Sequence, residues 1–227
     1  MKRVPGTKPS GSLLLLGMII GWAVAMVGEA GAQVKPGLAI VPFFVERVDD
    51  PSRGAVCPIC KGAYRSGIVQ PGAENVLDRL LYQKMETAGT FRIVPVERVE
   101  EAVSHMGRKQ LEEKTLALAP ELGKAVGADF MFFGFLFRFE ERVGSSLGVE
   151  KPASVGFDLH LLRVRDGRIV WTTKFDETQK PLSENVLKIG SFFRRGASWV
   201  KADELASVGM GEVLKALPSP QELEEKK

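Results

Sequence analysis

Cys57 and Cys60 are the only cysteines of this 227-residue chain, and they share one short stretch, "GAVCPICKGAYRSG", residues 54–67. A C-x-x-C pair supports several chemistries, each with its own requirement. Tetrahedral zinc needs four nitrogen, sulfur or oxygen ligands, and the sequence has no second C-x-x-C. The two histidines, His105 and His160, lie far from the pair in sequence and read as ordinary, partly exposed residues. Thiol–disulfide exchange needs its first cysteine at a helix N-terminus, where the dipole lowers the thiol pKa. The following "KGAYRSG" holds two glycines and is a poor helix. Covalent haem attachment needs a histidine directly after the second cysteine, and Lys61 stands there.

The expectation is a structural disulfide, Cys57–Cys60, across a tight turn, with no metal and no cofactor. So small a covalent loop adds only about 2 kcal/mol in the chain-entropy model. Its main effect is to fix the local shape, so that Arg53, Lys61, Tyr64 and Arg65 project as a candidate partner-binding surface. A second candidate is Phe192-Phe193-Arg194-Arg195, two aromatics beside two arginines, a pairing suited to an acidic partner. No catalytic constellation is visible. H-E-x-x-H, P-loop and G-x-G-x-x-G patterns are absent, and paired carboxylates such as Glu100-Glu101 and Glu140-Glu141 read as solvated charge. The chain is not expected to be an enzyme.

The elements that position these residues follow a signal-like N-terminus. Lys2, Arg3 and Lys8 precede the apolar run Leu13–Val27, and Ala30-Gly31-Ala32 supplies small residues at the −3 and −1 positions of a cleavage site between Ala32 and Gln33. The apolar run is shorter than the roughly 20 residues of a spanning helix. Residues 1–32 therefore read as a cleaved secretory signal peptide and the mature chain as periplasmic, touching membrane only through an uncleaved signal. The net charge of +3 is too small, and lacks the basic stripe, for a nucleic-acid binder.

Downstream, "GLAIVPFFV" reads as a buried strand broken near Pro42, followed by a long loop carrying the cysteines. "AENVLDRLLYQKMETAG" is an amphipathic helix ended by Gly89, "TFRIVP" a strand and "VERVEEAVSHM" a helix. A charged segment leads to Pro120, placed in the first turn of "PELGKAVG". "FMFFGFLF", residues 130–137, reads as a strand covered on both faces. "VGFDLHLLRVRDGRIVWTTKFDE" is a hairpin with Asp166-Gly167 as a two-residue turn, pairing Leu162 with Trp171 and needing a β-bulge near Leu161–Leu162. Two helices follow, around a break at Arg194–Ala197, and residues 218–227 read as a disordered polar tail. The fold class is α/β (α+β): a mixed sheet with a long hairpin in its C-terminal half, flanked by helices in two or three layers, as one domain over residues 33–217.

The wording of these elements resembles a known group. "PGLAIVPF", "ENVLDRLLYQKMETAGTFRIVPVERVEEAV", "ELGKAVGADFMFFGFLFRFEE" and "LHLLRVRDGRIVWTTKFDE" are similar to the opening strand, helix–strand–helix, central strand and closing hairpin of the periplasmic domain of the curli-export protein CsgG. The lipoprotein activators of penicillin-binding proteins and the N-terminal domain of TolB share that fold. The resemblance spans roughly residues 36–217. It implies a non-enzymatic interaction or assembly module of the bacterial envelope, with an envelope protein as partner and homo-oligomerisation possible in principle. Two departures stand out: no lipobox cysteine follows the apolar run, and residues 144–154 are too short for a membrane-inserting hairpin. The alternative function is a thiol-disulfide or metal-binding protein built on the Cys57–Cys60 loop.

Overall fold

The computed structural model describes residue 1 and residues 34–48, 50, 53–145, 148–179 and 199–226. The signal segment with Ala32 and Gln33, and Phe192, Phe193, Arg194 and Arg195, lie outside the described residues. Among the described residues no helix is long and apolar enough to cross a membrane.

One mixed six-stranded sheet organises the chain. Strand β1 (Gly37–Ile40) runs parallel between β5 (Arg92–Ile93) and β6 (Phe130–Glu140). After the break at Pro42, β2 (Phe44–Val45) also pairs parallel with β6. The long strand β9 (Ser154–Arg163) is antiparallel to β6 on one side and to β10 (Arg168–Thr178) on the other. Between β6 and β9 lies a small hairpin, β7 (Val143–Gly144) and β8 (Val149–Lys151).

Helices cover both faces, giving three layers. On one face α1 (Ala73–Ala88) buries Leu77, Leu81 and Met85. It packs beside α5 (Ala202–Leu214), which buries Leu205 and Met210. On the other face lie α2 (Val96–Met106), α3 (Arg108–Glu113) and α4 (Thr115–Val126), contributing Val99, Val103, Leu111 and Leu122. Period-two alternation feeds both cores from the same strands. Leu38 and Ile40 face α1, while Ala39 and Val41 face α2–α4. In β6, Phe130 and Phe132 face α1, and Met131, Phe133, Phe135 and Phe137 face the other way. A register shift between Leu136 and Arg138 then changes the phase and returns Phe139 to the α1 side, although a regular strand would keep Phe135, Phe137 and Phe139 together.

Three local expectations are corrected. Residues 164–167 form a four-residue hairpin loop, closed by Gly167 N–H donating to Arg163 O at 2.9 Å. Leu162 therefore faces Ile169 and Leu161 faces Trp171; the expected bulge does lie at the Leu161–Leu162 step, with Val170 of β10 as its extra residue. Pro120 sits inside α4, because that helix starts earlier, at Thr115. The segment read as a disordered tail carries α6 (Pro220–Glu225), started by a Ser219–Glu222 capping box and anchored by fully buried Leu223.

Candidate functional site at the CPIC hairpin

Residues 53–65 lie on the sheet face of the α2–α4 side as a hairpin, β3 (Ala55–Val56) and β4 (Ala63–Tyr64). Strands this short have little stability of their own. The hairpin is held by what it buries: Ala55, Cys57, Ile59 and Tyr64 all join the core on that face. Its turn is tight. Cys57 N–H donates to Gly62 O at 2.9 Å and Lys61 N–H to Cys57 O at 3.1 Å. That closure places Lys61 at φ 59°, the left-handed region. Gly54, at φ +70°, lies so near the opposite strand that a Cβ there would stand 2.7 Å from Tyr64 O. Beyond β4, residues 67–70 run along the end of β6, with Phe139 N–H donating to Ile68 O at 2.9 Å.

The two cysteines are free thiols in the structure; the expected Cys57–Cys60 disulfide is not formed. Cys57 points into the sheet, fully buried, with its Sγ 3.2 Å from His160 Nε2. His160 is likewise fully buried, not partly exposed as its sequence context implies. The reason is its place on β9, a strand covered on both faces, where odd positions (Val155, Phe157, Leu159, Leu161) fill the α1 core and even positions meet the hairpin. Asp158 is the neighbouring even position, also fully buried, and its Oδ2 lies 3.1 Å from His160 Nε2. Cys60 Sγ completes the group at 3.8 Å from Asp158 Oδ2. One donor atom from each of the four residues lies within 4.8 Å of every other.

The surrounding polar contacts are specific. Ile59 and Cys60 N–H point at Cys57 Sγ at 3.4 and 3.5 Å, and Gly62 N–H points at Cys60 Sγ at 3.4 Å. Thr172 Oγ1, opposite His160 on β10, lies 3.1 Å from its Nδ1. Asp158 Oδ1 has no hydrogen-bond partner among the described residues. Burial first, and then the charge of Asp158, push the Cys57 thiol far above its usual range and do the same to the Tyr64 hydroxyl. Cys57 and Tyr64 are therefore held as neutral thiol and phenol beside the incompletely partnered carboxyl group of Asp158.

The other sequence candidates divide. Arg53, Lys61 and Arg65 are exposed, as expected of a contact surface. Tyr64 is not: only 6% exposed, it lies under the hairpin against Phe137. Arg65 pairs with Asp176 at 2.9 Å, beside Arg138, which is buried and also bonds Asp176, at 2.6 Å. His105 is exposed on α2, near Glu101, and is not among the four clustered donor residues. Asp158 and His160 were not legible as site residues from the cysteine spacing. The available signal was D-x-H inside an apolar strand, since spacing of two puts both side chains on one face.

No family model and no curated protein matches the chain. Among solved structures it is similar to a chain of the PelC dodecamer from Paraburkholderia phytofirmans, with 14% identity over 85% of this chain and 90% of that one and a TM-score of 0.45. Lipoprotein GNA1162 from Neisseria meningitidis gives 12% identity over 71% and 98% at a TM-score of 0.41. The LpoB C-terminal domain from Salmonella enterica gives 16% over 66% and 87% at 0.39. LpoB is an activator of penicillin-binding proteins, one of the groups the sequence resembles, whereas the likeness to CsgG and TolB gains no support. Similarity of this degree carries no argument about partner or activity.

Proposed function

We propose that this chain is an exported, non-enzymatic binding domain of the bacterial cell envelope, and that the outer side of the β3–β4 hairpin is its contact surface for an acidic protein partner. One observation carries the reading. The hairpin spends its apolar residues on the sheet and turns Arg53, Lys61 and Arg65 outward, with exposed Val56 and Ile68 among them. The Arg53 side chain is 85% exposed and that of Arg65 64%, so both remain available although each has an acidic neighbour, Asp50 and Asp176. Cationic side chains interleaved with apolar ones on a backbone fixed by its own buried side suit a rigid protein–protein contact. The signal-like N-terminus and the envelope-family wording of the sequence support the compartment.

The test is affinity capture from a periplasmic extract, with wild-type chain and with the Arg53→Glu, Lys61→Glu, Arg65→Glu triple variant as baits. The expected result is a captured protein of acidic surface that the triple variant loses while keeping its far-UV spectrum and melting temperature. Light scattering on the bait alone separates self-association from a foreign partner. Equal capture by both baits, or none by either, overturns the proposal.

A further inference from the structure

We propose that Cys57, Cys60, Asp158 and His160 bind one zinc ion, which clasps the β3–β4 hairpin to strand β9. This goes beyond the proposed contact surface and is independent of it.

Four donor atoms, one from each residue, lie within 4.8 Å of one another, and three of their six separations can be set against the edges of a ligand tetrahedron. Ligand bonds of about 2.3 Å to sulfur and about 2.0–2.2 Å to nitrogen and oxygen imply edges of about 3.6 Å between sulfur and nitrogen or oxygen, and about 3.4 Å between nitrogen and oxygen. The corresponding separations here are 3.2 Å for Cys57 Sγ and His160 Nε2, 3.1 Å for His160 Nε2 and Asp158 Oδ2, and 3.8 Å for Cys60 Sγ and Asp158 Oδ2. These three edges lie within about half an ångström of the tetrahedral values.

Independent of the distances, the site has an unmet electrostatic need. Asp158 is fully buried, and its only ion-pair partner among the described residues is His160. A single proton on Nε2 cannot serve Asp158 Oδ2 and Cys57 Sγ together, and Asp158 Oδ1 has no hydrogen-bond partner among the described residues. A buried carboxylate left in this state is costly, and a divalent cation is the compact remedy.

The supporting groups point the same way. With Nδ1–H donated to Thr172 Oγ1, His160 presents the Nε2 lone pair to the centre, the arrangement of a histidine ligand fixed from behind. The backbone N–H groups aimed at both sulfurs stabilise thiolate charge. Two thiolates, an imidazole and a carboxylate select zinc: magnesium and calcium prefer all-oxygen sets, and an iron–sulfur cluster needs more thiolates. On binding, both thiols give their protons to solvent and no electron moves. Sulfurs joined in a disulfide lack that thiolate pair, so the oxidised and zinc-bound forms exclude each other.

The experiment uses the full mature chain, reduced, stripped with a chelator and titrated with zinc alone. Native mass spectrometry is expected to show one zinc per chain. Cobalt substitution should give thiolate-to-metal charge-transfer absorption together with tetrahedral ligand-field bands. In competition with a chromophoric chelator, Cys57→Ser and His160→Gln should weaken binding at least about 100-fold, and Asp158→Asn and Thr172→Val about 10- to 100-fold. Thr172 is exposed, so its variant keeps the test decisive should a buried-ligand variant fail to fold. Absence of zinc uptake by the folded, reduced wild type overturns the proposal. So does uptake that Asp158→Asn, His160→Gln and Thr172→Val all leave unchanged, which would place the ion on the cysteines alone. Neither result touches the capture experiment, so the two readings fail separately.

Discussion

Tyr64 lies flat on Phe137, with ring centroids 4.1 Å apart and planes 7° from parallel. This stack joins the hairpin to the central strand of the sheet. Tyr64→Ala is expected to lower stability by about 2–4 kcal/mol, from lost burial and lost stacking. Tyr64→Phe keeps the stack and should cost less than about 1 kcal/mol. Urea denaturation of both variants checks this, and near-equal losses would show that the hydroxyl, not the ring, anchors the hairpin.

Arg163 performs a similar service at the other end of the chain. Its side chain is buried, bonds Asp166 Oδ2 at 2.6 Å, and donates to the carbonyls of Leu223 and Glu224 at 3.0 and 2.7 Å. Truncation at Pro218 removes Leu223 and leaves this guanidinium short of two acceptors. The expected loss is about 2–4 kcal/mol. It would be read as a shift of the denaturation midpoint at unchanged slope.

Acid titration separates two aspartates with opposite signs. Burial is the main cause that raises Asp78 to about 6, against the N–H of Phe43 that it accepts at 2.8 Å and nearby Arg108. A raised acid holds its proton longer in the folded state, so its contribution is full below about pH 4 and declines as pH rises to about 6. Asp78→Asn keeps an acceptor for Phe43. Relative to wild type it should gain about 1–2 kcal/mol between pH 4 and pH 7. The bond from Arg163 lowers Asp166 to about 2, so its contribution is present at neutral pH and is lost as pH falls from about 4 to 2. Denaturation curves at pH 3, 4, 5.5 and 7 for wild type and Asp166→Asn measure the second effect, and those for wild type and Asp78→Asn the first. A pH-independent difference between the two proteins would refute the assignment to Asp78.

Gly134 is the one residue without a side chain in β6, and the reason is steric. A Cβ there would stand 2.5 Å from the ring of Phe43, which is fully buried. Gly134→Ala is expected to destabilise by about 1–3 kcal/mol through overpacking. The double variant with Phe43→Leu should recover part of that loss, and strict additivity would exclude the contact as cause.

Much of the architecture was readable before any coordinates. Leu77, Leu81 and Met85 fall at helical spacing and define α1, and the uncharged run from Phe130 to Phe137 announces a strand covered on both sides. These are local patterns, and local patterns survive in sequence. The hairpin turn was misread because Asp166-Gly167 is a strong two-residue signal, whereas the fold uses Asp166 to hold Arg163 and widens the loop to four residues. The site was misread for a different reason. Cys57 and His160 are 103 residues apart in the chain, and only the pairing of β9 between β6 and β10 brings them together. Counting ligands near the cysteines cannot find a partner that strand order supplies.

That separation also fixes an order of events. The hairpin has two strands of two residues each, and its Tyr64 and Cys57 rest on Phe137 of β6 and His160 of β9. It cannot persist until β6 and β9 are seated, so it is the last part of this face to form and the first to open. Such an opening uncovers Phe137, Asp158 and His160 in one step while the six-stranded sheet stays paired. In the metal-free chain, amides of residues 55–64 should therefore exchange with solvent through a local event of low free energy, and those of β9 only when the whole molecule unfolds.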